Sequence, residues 1–382
     1  MTKTNFPLDQ FKAEETPFYF YDLHLLDDTL ADLKGCSNFP GYHVHYAIKA
    51  NANPEVLRRI AASGLGADTV SIGEVEAAVA AGFPAPKIVF AGVGKTDKEI
   101  TRGLELGIGC FNVESAAELD VIEEIASKMG KKAPVALRVN PEIDAHTHHY
   151  ITTGLAENKF GIALEMLDQL LDKCLKSEFI DFRGLHFHIG SQVTDLEPYR
   201  ILCRRITDIL DKYPDVEFPT INVGGGLGID YDDPDKHPIP DFKEFFEIFK
   251  ENLQLRPLQQ LHFELGRAVV AQCGSLICRV IYVKEGVGKK FIILDGGMAS
   301  LIRPALYQAH HVVQNLTSKS DIFETYDVVG PICESSDTFG TDERLPLTKR
   351  GDLIALRSAG AYGETMASNY NCRPLPGSVY SR

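Results

Sequence analysis

A lysine closing an apolar, β-type run is the first residue of this chain that could do chemistry. In His45-Tyr-Ala-Ile-Lys49-Ala-Asn51 the run beginning near Val44 ends at Lys49, and Asn53-Pro54 then opens a helical pattern. A lysine in the mouth of a barrel, beside a cation or partly desolvated, has a lowered pKa and forms a Schiff base with a carbonyl. Taken alone, Lys49 reads as a strand-end lysine reaching solvent. The chain, however, keeps placing polar groups at the ends of further β-type runs: Asp68 and Ser71, Arg138 and Asn140, His186 and His188, Gly224-Gly225-Gly226, and Glu264 with Arg267.

Val223-Gly-Gly-Gly-Leu-Gly228 is dense enough in glycine for backbone N–H groups to approach an anion, and a phosphate suits such a turn. Most glycine-rich turns are merely tight turns. Glu264 could pair with a protonated ring nitrogen or form a buried ion pair with an arginine. His188 could lie flat against an aromatic ring or be a hydrogen-bonded histidine inside a barrel. His146, His148 and His149 share a loop without a carboxylate at ligand spacing, so no metal is expected. Together, lysine, phosphate turn, ring-nitrogen carboxylate and stacking histidine are the parts that hold pyridoxal 5′-phosphate (PLP), a cofactor that takes up an electron pair.

Those residues need a frame that brings strand ends together. Strands are expected at His43–Ala50, Gly66–Val70, Ile88–Ala91, Cys110–Val113, Val135–Val139, Gly184–Ile189, Thr220–Gly224 and Leu261–Glu264. Helical patterns such as Gly73–Ala81, Ser115–Met129, Ala163–Lys176, Tyr199–Tyr213 and Asp241–Asn252 fall between them. That alternation predicts an α/β fold, a (β/α)8 TIM-type barrel over residues 26–267, with chemistry at the C-terminal strand ends. An open doubly wound sheet would need a switch point, and none is marked. Beyond Arg267, β-rich stretches at Ala268–Val283, Lys289–Leu294, Thr325–Val329, Leu353–Leu356 and around Tyr362 predict a mainly β second domain. Residues 1–25 and 268–382 are assigned to it, including the N-terminal strand Pro17–Asp22. A short helix is expected at Ser300–Gln308, and exposed loops at Gln314–Asp321 and Phe339–Arg350.

The 382 residues suffice for a barrel plus a smaller domain. A net charge of -14 argues against a nucleic-acid partner. No signal peptide and no membrane-length apolar run is seen. The eight cysteines lack a C-x-x-C pair, so a reduced, cytoplasmic protein is expected.

The chain resembles the fold-type III, alanine-racemase-like PLP-dependent decarboxylases, and within them the diaminopimelate decarboxylase family, from about Pro17 to Val379. The resemblance is carried by Tyr-Ala-Ile-Lys49-Ala-Asn, His186-Phe-His188-Ile-Gly-Ser, Gly224-Gly-Gly226, Glu264-Leu-Gly-Arg267, Arg303-Pro-Ala-Leu-Tyr307, Cys333-Glu334-Ser-Ser-Asp337 and Gly360-Ala-Tyr362-Gly. The Arg303 and Cys333 motifs are the more specific ones. Leu265 departs from the family's usual proline, and the chain is somewhat short.

The resemblance implies PLP held by Lys49, stacked by His188 and paired at its ring nitrogen by Glu264. Gly225, Gly226, Gly266 and Arg267 would hold its phosphate, with Ser191 as a helper. Arg267, Arg303, Tyr307 and Tyr362 would bind substrate, Glu334 its distal ammonium, and Tyr362 the cofactor as well. Cys333 would donate a proton, from a loop that enters the partner subunit's site in a homodimer. The implied reaction is decarboxylation of meso-2,6-diaminopimelate to L-lysine and CO2, the last step of lysine biosynthesis. The alternatives are the same chemistry on ornithine, arginine or carboxynorspermidine, a PLP racemase, and a PLP carrier without turnover. A racemase wants a second base on the opposite ring face, and a carrier has no need of Arg303, Cys333 and Glu334.

Overall fold

The computed structural model describes residues 6–143 and 159–381, so the His146, His148 and His149 cluster lies outside the described residues. After the strand β1 (Phe18–Tyr21) come eight strands: β2 (Tyr42–Ala47), β3 (Gly66–Thr69), β4 (Ile88–Phe90), β5 (Cys110–Val113), β6 (Ala133–Arg138), β7 (Ile180–His186), β8 (Thr220–Asn222) and β9 (Gln260–Leu265). They pair in sequence order, all parallel, and β9 closes on β2 with Glu264 opposite His45.

Local chemistry explains the alternation. The helices that follow β2, β3 and β5 start at Asn53, Ser71 and Ser115, whose side chains accept a backbone N–H of the first turn. They bury apolar residues at helical spacing, as Val56, Leu57 and Ile60 do in Pro54–Ala62. The helices Ile72–Ala81 and Ala116–Met129 stop at Gly82 and Gly130, in the left-handed region. Each unit thereby returns the chain to the same rim, and the C-terminal strand ends collect there.

The inside of this barrel is unusually polar. Asn112, His186, Asn222 and Glu264 are all buried, and farther along β2 and β9 the rings of His45 and His262 share a 2.9 Å hydrogen bond between Nε2 and Nδ1. Burial pushes the His45 imidazole down to about 4.

Residues Leu30–Gly228 and Asp241–Gly266 form this unit. A second compact unit comprises the segment ending at Thr29, Ile229–Pro240, and the chain from Arg267 on. The expected range of 26–267 therefore differs from this unit at residues 26–29, at Arg267 and, most of all, at the insertion Ile229–Pro240. Ile229–Pro240 is held by partners of the second unit: Gln272 Nε2 donates to the Asp230 carbonyl at 2.7 Å, and Asp235 pairs with Arg357 at 2.8 Å. The second unit's sheet runs β12 (Val313–Asn315), β15 (Leu353–Leu356), β10 (Gly274–Glu285), β11 (Lys290–Leu294), β13 (Phe323–Val329), β14 (Thr338–Pro346). The strand β1 pairs with β10 and with β16 (Gly377–Tyr380), as expected for the N-terminal strand.

Several local expectations are corrected. Phe339–Arg350 is not a loop through most of its length, because Thr338–Pro346 pairs antiparallel with β13. Its charges, Asp342, Glu343 and Arg344, suit an edge strand, where one side meets water. Gln314–Asp321 likewise begins inside β12. The expected strand around Tyr362 is absent, since Ser358 and Tyr362 have φ of 56° and 57°, which breaks an extended run. Arg267–Val270 is a helical turn ahead of β10. Lys49 sits in a 3-10 turn, Ile48–Ala50, just past β2, and His188 lies two residues beyond β7.

Candidate active site

At the barrel rim a cavity of about 410 Å3 is lined by Lys49, Asp68, Gly92, Arg138, Phe160, His186, His188 and Glu264, among others. Its size is that of a site for a small organic molecule. The Lys49 Nζ lies 4.0 Å from Asp68 Oδ2, because Ala47 of β2 is registered beside Asp68 of β3.

Glu264 is held by three strands at once. Its Oε2 is 3.0 Å from His186 Nε2, and its Oε1 accepts the amides of Asn222 at 2.7 Å and Asn112 at 3.3 Å. Burial opposes its charge, but His186, with its hydrogen bond, and then Lys49 outweigh that effect and hold the carboxyl well below the usual carboxylate range. Asp68 goes the other way: burial, then the Glu264 charge, push its carboxyl up, and Lys49 offsets only part. One rim thus carries two carboxyl groups of opposite tendency, the arrangement that separates acid from base roles.

His188 is kept neutral, its pKa pushed well down by burial and by the charges of Lys49 and Arg138. Its Nδ1 accepts the Gly225 N–H at 3.3 Å, which ties the glycine turn to the ring. Gly225 must be glycine, since a Cβ there would fall 1.7 Å from the Glu264 carbonyl oxygen. Among the described residues the N–H groups of Gly226 and Leu227 meet no protein acceptor. Gly266 packs its backbone on the Lys49 turn, where a Cβ would come within 3.0 Å of the Ala50 Cβ. Leu265, in place of the family's proline, is buried and continues β9, so the approach of Gly266 is kept. Ser191 is partly buried on the turn after His188.

Among the described residues, two buried polar atoms on the cavity wall, Asp68 Oδ1 and His186 Nδ1, have no hydrogen-bond partner. Native interiors rarely leave such atoms unmet, so the wall is built for a polar ligand. The residues present fit PLP: an amine, an ionised carboxylate, a neutral imidazole and available backbone N–H groups. Arg138 is itself fixed, by Glu114 at 2.7 Å, and that carboxylate also accepts the Gly92 and Gly161 N–H groups.

The second unit gathers another part of the expected set. The Arg267 guanidinium lies 4.9 Å from the Tyr362 ring centroid, and its Nη1 donates to the Tyr231 hydroxyl at 2.6 Å. Arg303 lies over the same Tyr231 ring at 4.8 Å and bonds to His311. Tyr362 holds a left-handed backbone, φ 57°, a conformation that costs a non-glycine residue energy and marks a constrained position. Tyr307 ends the helix Arg303–Tyr307. Cys333 and Glu334 are not part of that cluster. They are exposed on a turn whose Asp337 accepts the Ile332 and Met298 N–H groups, and Glu334 accepts the Tyr370 hydroxyl at 2.6 Å.

Asn112, Asn222, Tyr231 and His311 were not singled out by the sequence. Asparagine in a buried strand is the one available signal, since that residue is depleted there.

Comparisons with known proteins agree with this geometry. Residues 33–271 match the family model "Pyridoxal-dependent decarboxylase, pyridoxal binding domain". A diaminopimelate decarboxylase of Bacteroides thetaiotaomicron is 59% identical over 374 residues, covering 97% of each chain. The crystal structure of diaminopimelate decarboxylase from Helicobacter pylori complexed with L-lysine superposes with a TM-score of 0.93 at 39% identity, covering 98% of this chain and 94% of that one. A lysine/ornithine decarboxylase of Vibrio vulnificus, at 22% identity and TM-score 0.84, covering 98% of this chain and 96% of that one, shares the fold. The chain belongs to the diaminopimelate decarboxylase family of PLP-dependent decarboxylases.

Proposed function

We propose that this chain decarboxylates meso-2,6-diaminopimelate to L-lysine and CO2, with PLP held at Lys49, as a cytoplasmic homodimer with shared active sites. The observation that carries the reading is Glu264, a carboxylate kept ionised by His186, Asn112 and Asn222 on the wall that also bears Lys49.

Bound there, PLP supplies the electron sink for the pair left behind when CO2 departs. Lys49, on the wall of that cavity, would hold the group covalently. Glu264 would hold a proton at the ring nitrogen, and neutral His188 would lie against the ring. Gly225, Gly226, Gly266 and Arg267, with Ser191, would take the phosphate. Arg267 and Arg303 would meet the distal carboxylate of the substrate with guanidinium forks, Tyr307 and Tyr362 would complete the wall, and Tyr362 would also touch the cofactor. Glu334 takes the distal ammonium and Cys333 delivers a proton to the carbon that lost CO2, both from a turn that serves the partner subunit's site.

The test is CO2 release by purified protein given PLP and a panel of amino acids. Meso-diaminopimelate should exceed L-lysine and L-ornithine by about 10⁴-fold in kcat/KM, because a site built to pair a carboxylate leaves buried donors unmet when the group is missing. Equal turnover of ornithine or carboxynorspermidine would overturn the substrate while leaving the cofactor in place.

A further inference from the structure

Arg303 is buried, yet among the described residues it makes no ion pair, and its Nε has no hydrogen-bond partner. A buried arginine without a counter-charge is costly unless an anion arrives. In the same unit, Arg357 solves this problem in the ordinary way, with its Nη2 2.8 Å from Asp235. What holds Arg303 is neutral. Its Nη1 is 2.8 Å from His311 Nε2, and its guanidinium lies over the Tyr231 ring.

The hydrogen on His311 can be placed from its neighbours. An arginine nitrogen only donates, so His311 Nε2 must accept. His311 Nδ1 lies 2.8 Å from the Arg357 carbonyl, which only accepts, so the hydrogen is on Nδ1. The imidazole is fully buried and touches the Tyr231 ring edge-on, with centroids 5.4 Å apart. Burial and the Arg303 charge together push its pKa down to about 3, so it stays neutral. The run Asp235, Arg357, His311, Arg303 is therefore a chain of oriented bonds that fixes one guanidinium without neutralising it.

We infer that His311 is a positioning residue that sets substrate specificity: as a neutral acceptor it fixes the Arg303 guanidinium while leaving its charge for a carboxylate on the far end of the substrate. Tyr231, which supports both Arg303 and Arg267, works with it. The inference rests on the proposed role of Arg303, and it adds the reason this arginine selects for an anion.

The test uses full-length, PLP-loaded protein and two substitutions of equal size and different charge, His311→Gln and His311→Glu. A glutamine keeps a neutral acceptor for Arg303 and a donor for the Arg357 carbonyl; a glutamate neutralises Arg303. Steady-state kcat and KM are measured with meso-diaminopimelate and with L-lysine, and visible absorbance and Tm report cofactor loading and folding. For His311→Gln, KM for meso-diaminopimelate should rise by less than about tenfold. For His311→Glu it should rise by about a hundredfold with kcat little changed, and preference over L-lysine should fall by a similar factor. Should the glutamate variant fail to load cofactor, His311→Leu takes its place. Without an acceptor, its KM should rise about tenfold for meso-diaminopimelate and stay level for L-lysine. Equal kinetics in the Gln and Glu variants, or an unmoved KM in the Leu variant, overturns the inference. Wild-type protein inert toward meso-diaminopimelate would instead overturn the substrate reading.

Discussion

Glu264 Oε2 sits 3.0 Å from His186 Nε2, and these residues lie on strands separated by one other strand. The carboxylate is thus bonded from β7, from β8 through Asn222 and from β5 through Asn112, three strands of one closed barrel. Such a clamp fixes the carboxylate before any ligand arrives, and preorganised charge is where enzymes gain most of their electrostatic stabilisation.

Removing that charge should leave binding and cost rate. Glu264→Gln keeps the shape, so PLP uptake followed by visible absorbance should persist. Turnover should fall roughly a hundredfold, about 3 kcal/mol in the barrier. Near-normal turnover would mean that the ring nitrogen lies elsewhere.

Lys49 should be the covalent anchor. PLP-loaded protein should absorb in the visible, and borohydride should abolish that band irreversibly and leave the reduced label on the peptide containing Lys49. Lys49→Ala should show neither band nor label. A label on Lys95 or any other lysine defeats the assignment.

The buried His45 links stability to pH. Its folded-state pKa is depressed to about 4 by burial, against about 6.5 in the unfolded chain. The unfolded state therefore takes up a proton first as pH falls. Stability is complete above about pH 6.5, declines as pH falls toward about 4, and is level below, a loss of about 3 kcal/mol from this group. His45→Gln should flatten the fall of Tm between pH 6.5 and 4. An equally steep fall in that variant would assign the acid sensitivity to other groups.

Complementation tests the shared site. Lys49→Ala and Glu334→Ala proteins, each inactive or nearly so, should regain part of the wild-type activity when dissociated and reassembled together, because a hybrid dimer then contains one intact site. No recovery in demonstrably mixed dimers would place Glu334 in the same subunit's site as Lys49.

The rim residues were legible because type and position agree: Lys49, His188, Glu264 and Gly225 each follow a β-type run that could be read locally. Asn112 and Asn222 were not, since which side of a strand faces inward depends on closure of the whole barrel, and Cys110-Phe-Asn-Val113 and Thr220-Ile-Asn222 look alike from either side. Tyr231 stands in an Asp- and Pro-rich segment flanked by barrel sequence, and its assignment to the other unit rests on contacts with Arg267 far from any local pattern. His311 follows another histidine, and only its two bonding partners set it apart. Thr338–Pro346 was misread because the charges of an edge strand resemble those of a loop.

The insertion of Ile229–Pro240 also has a consequence for biosynthesis on the ribosome. A nascent chain that has just reached Gly266 already contains all eight barrel strands. Tyr231 and Asp235 have by then been made, but Arg267 and Arg357, the groups they bond, have not. Vectorial synthesis can therefore complete the barrel while leaving this one stretch waiting, and the arginine cluster can be assembled only after synthesis has passed Arg357.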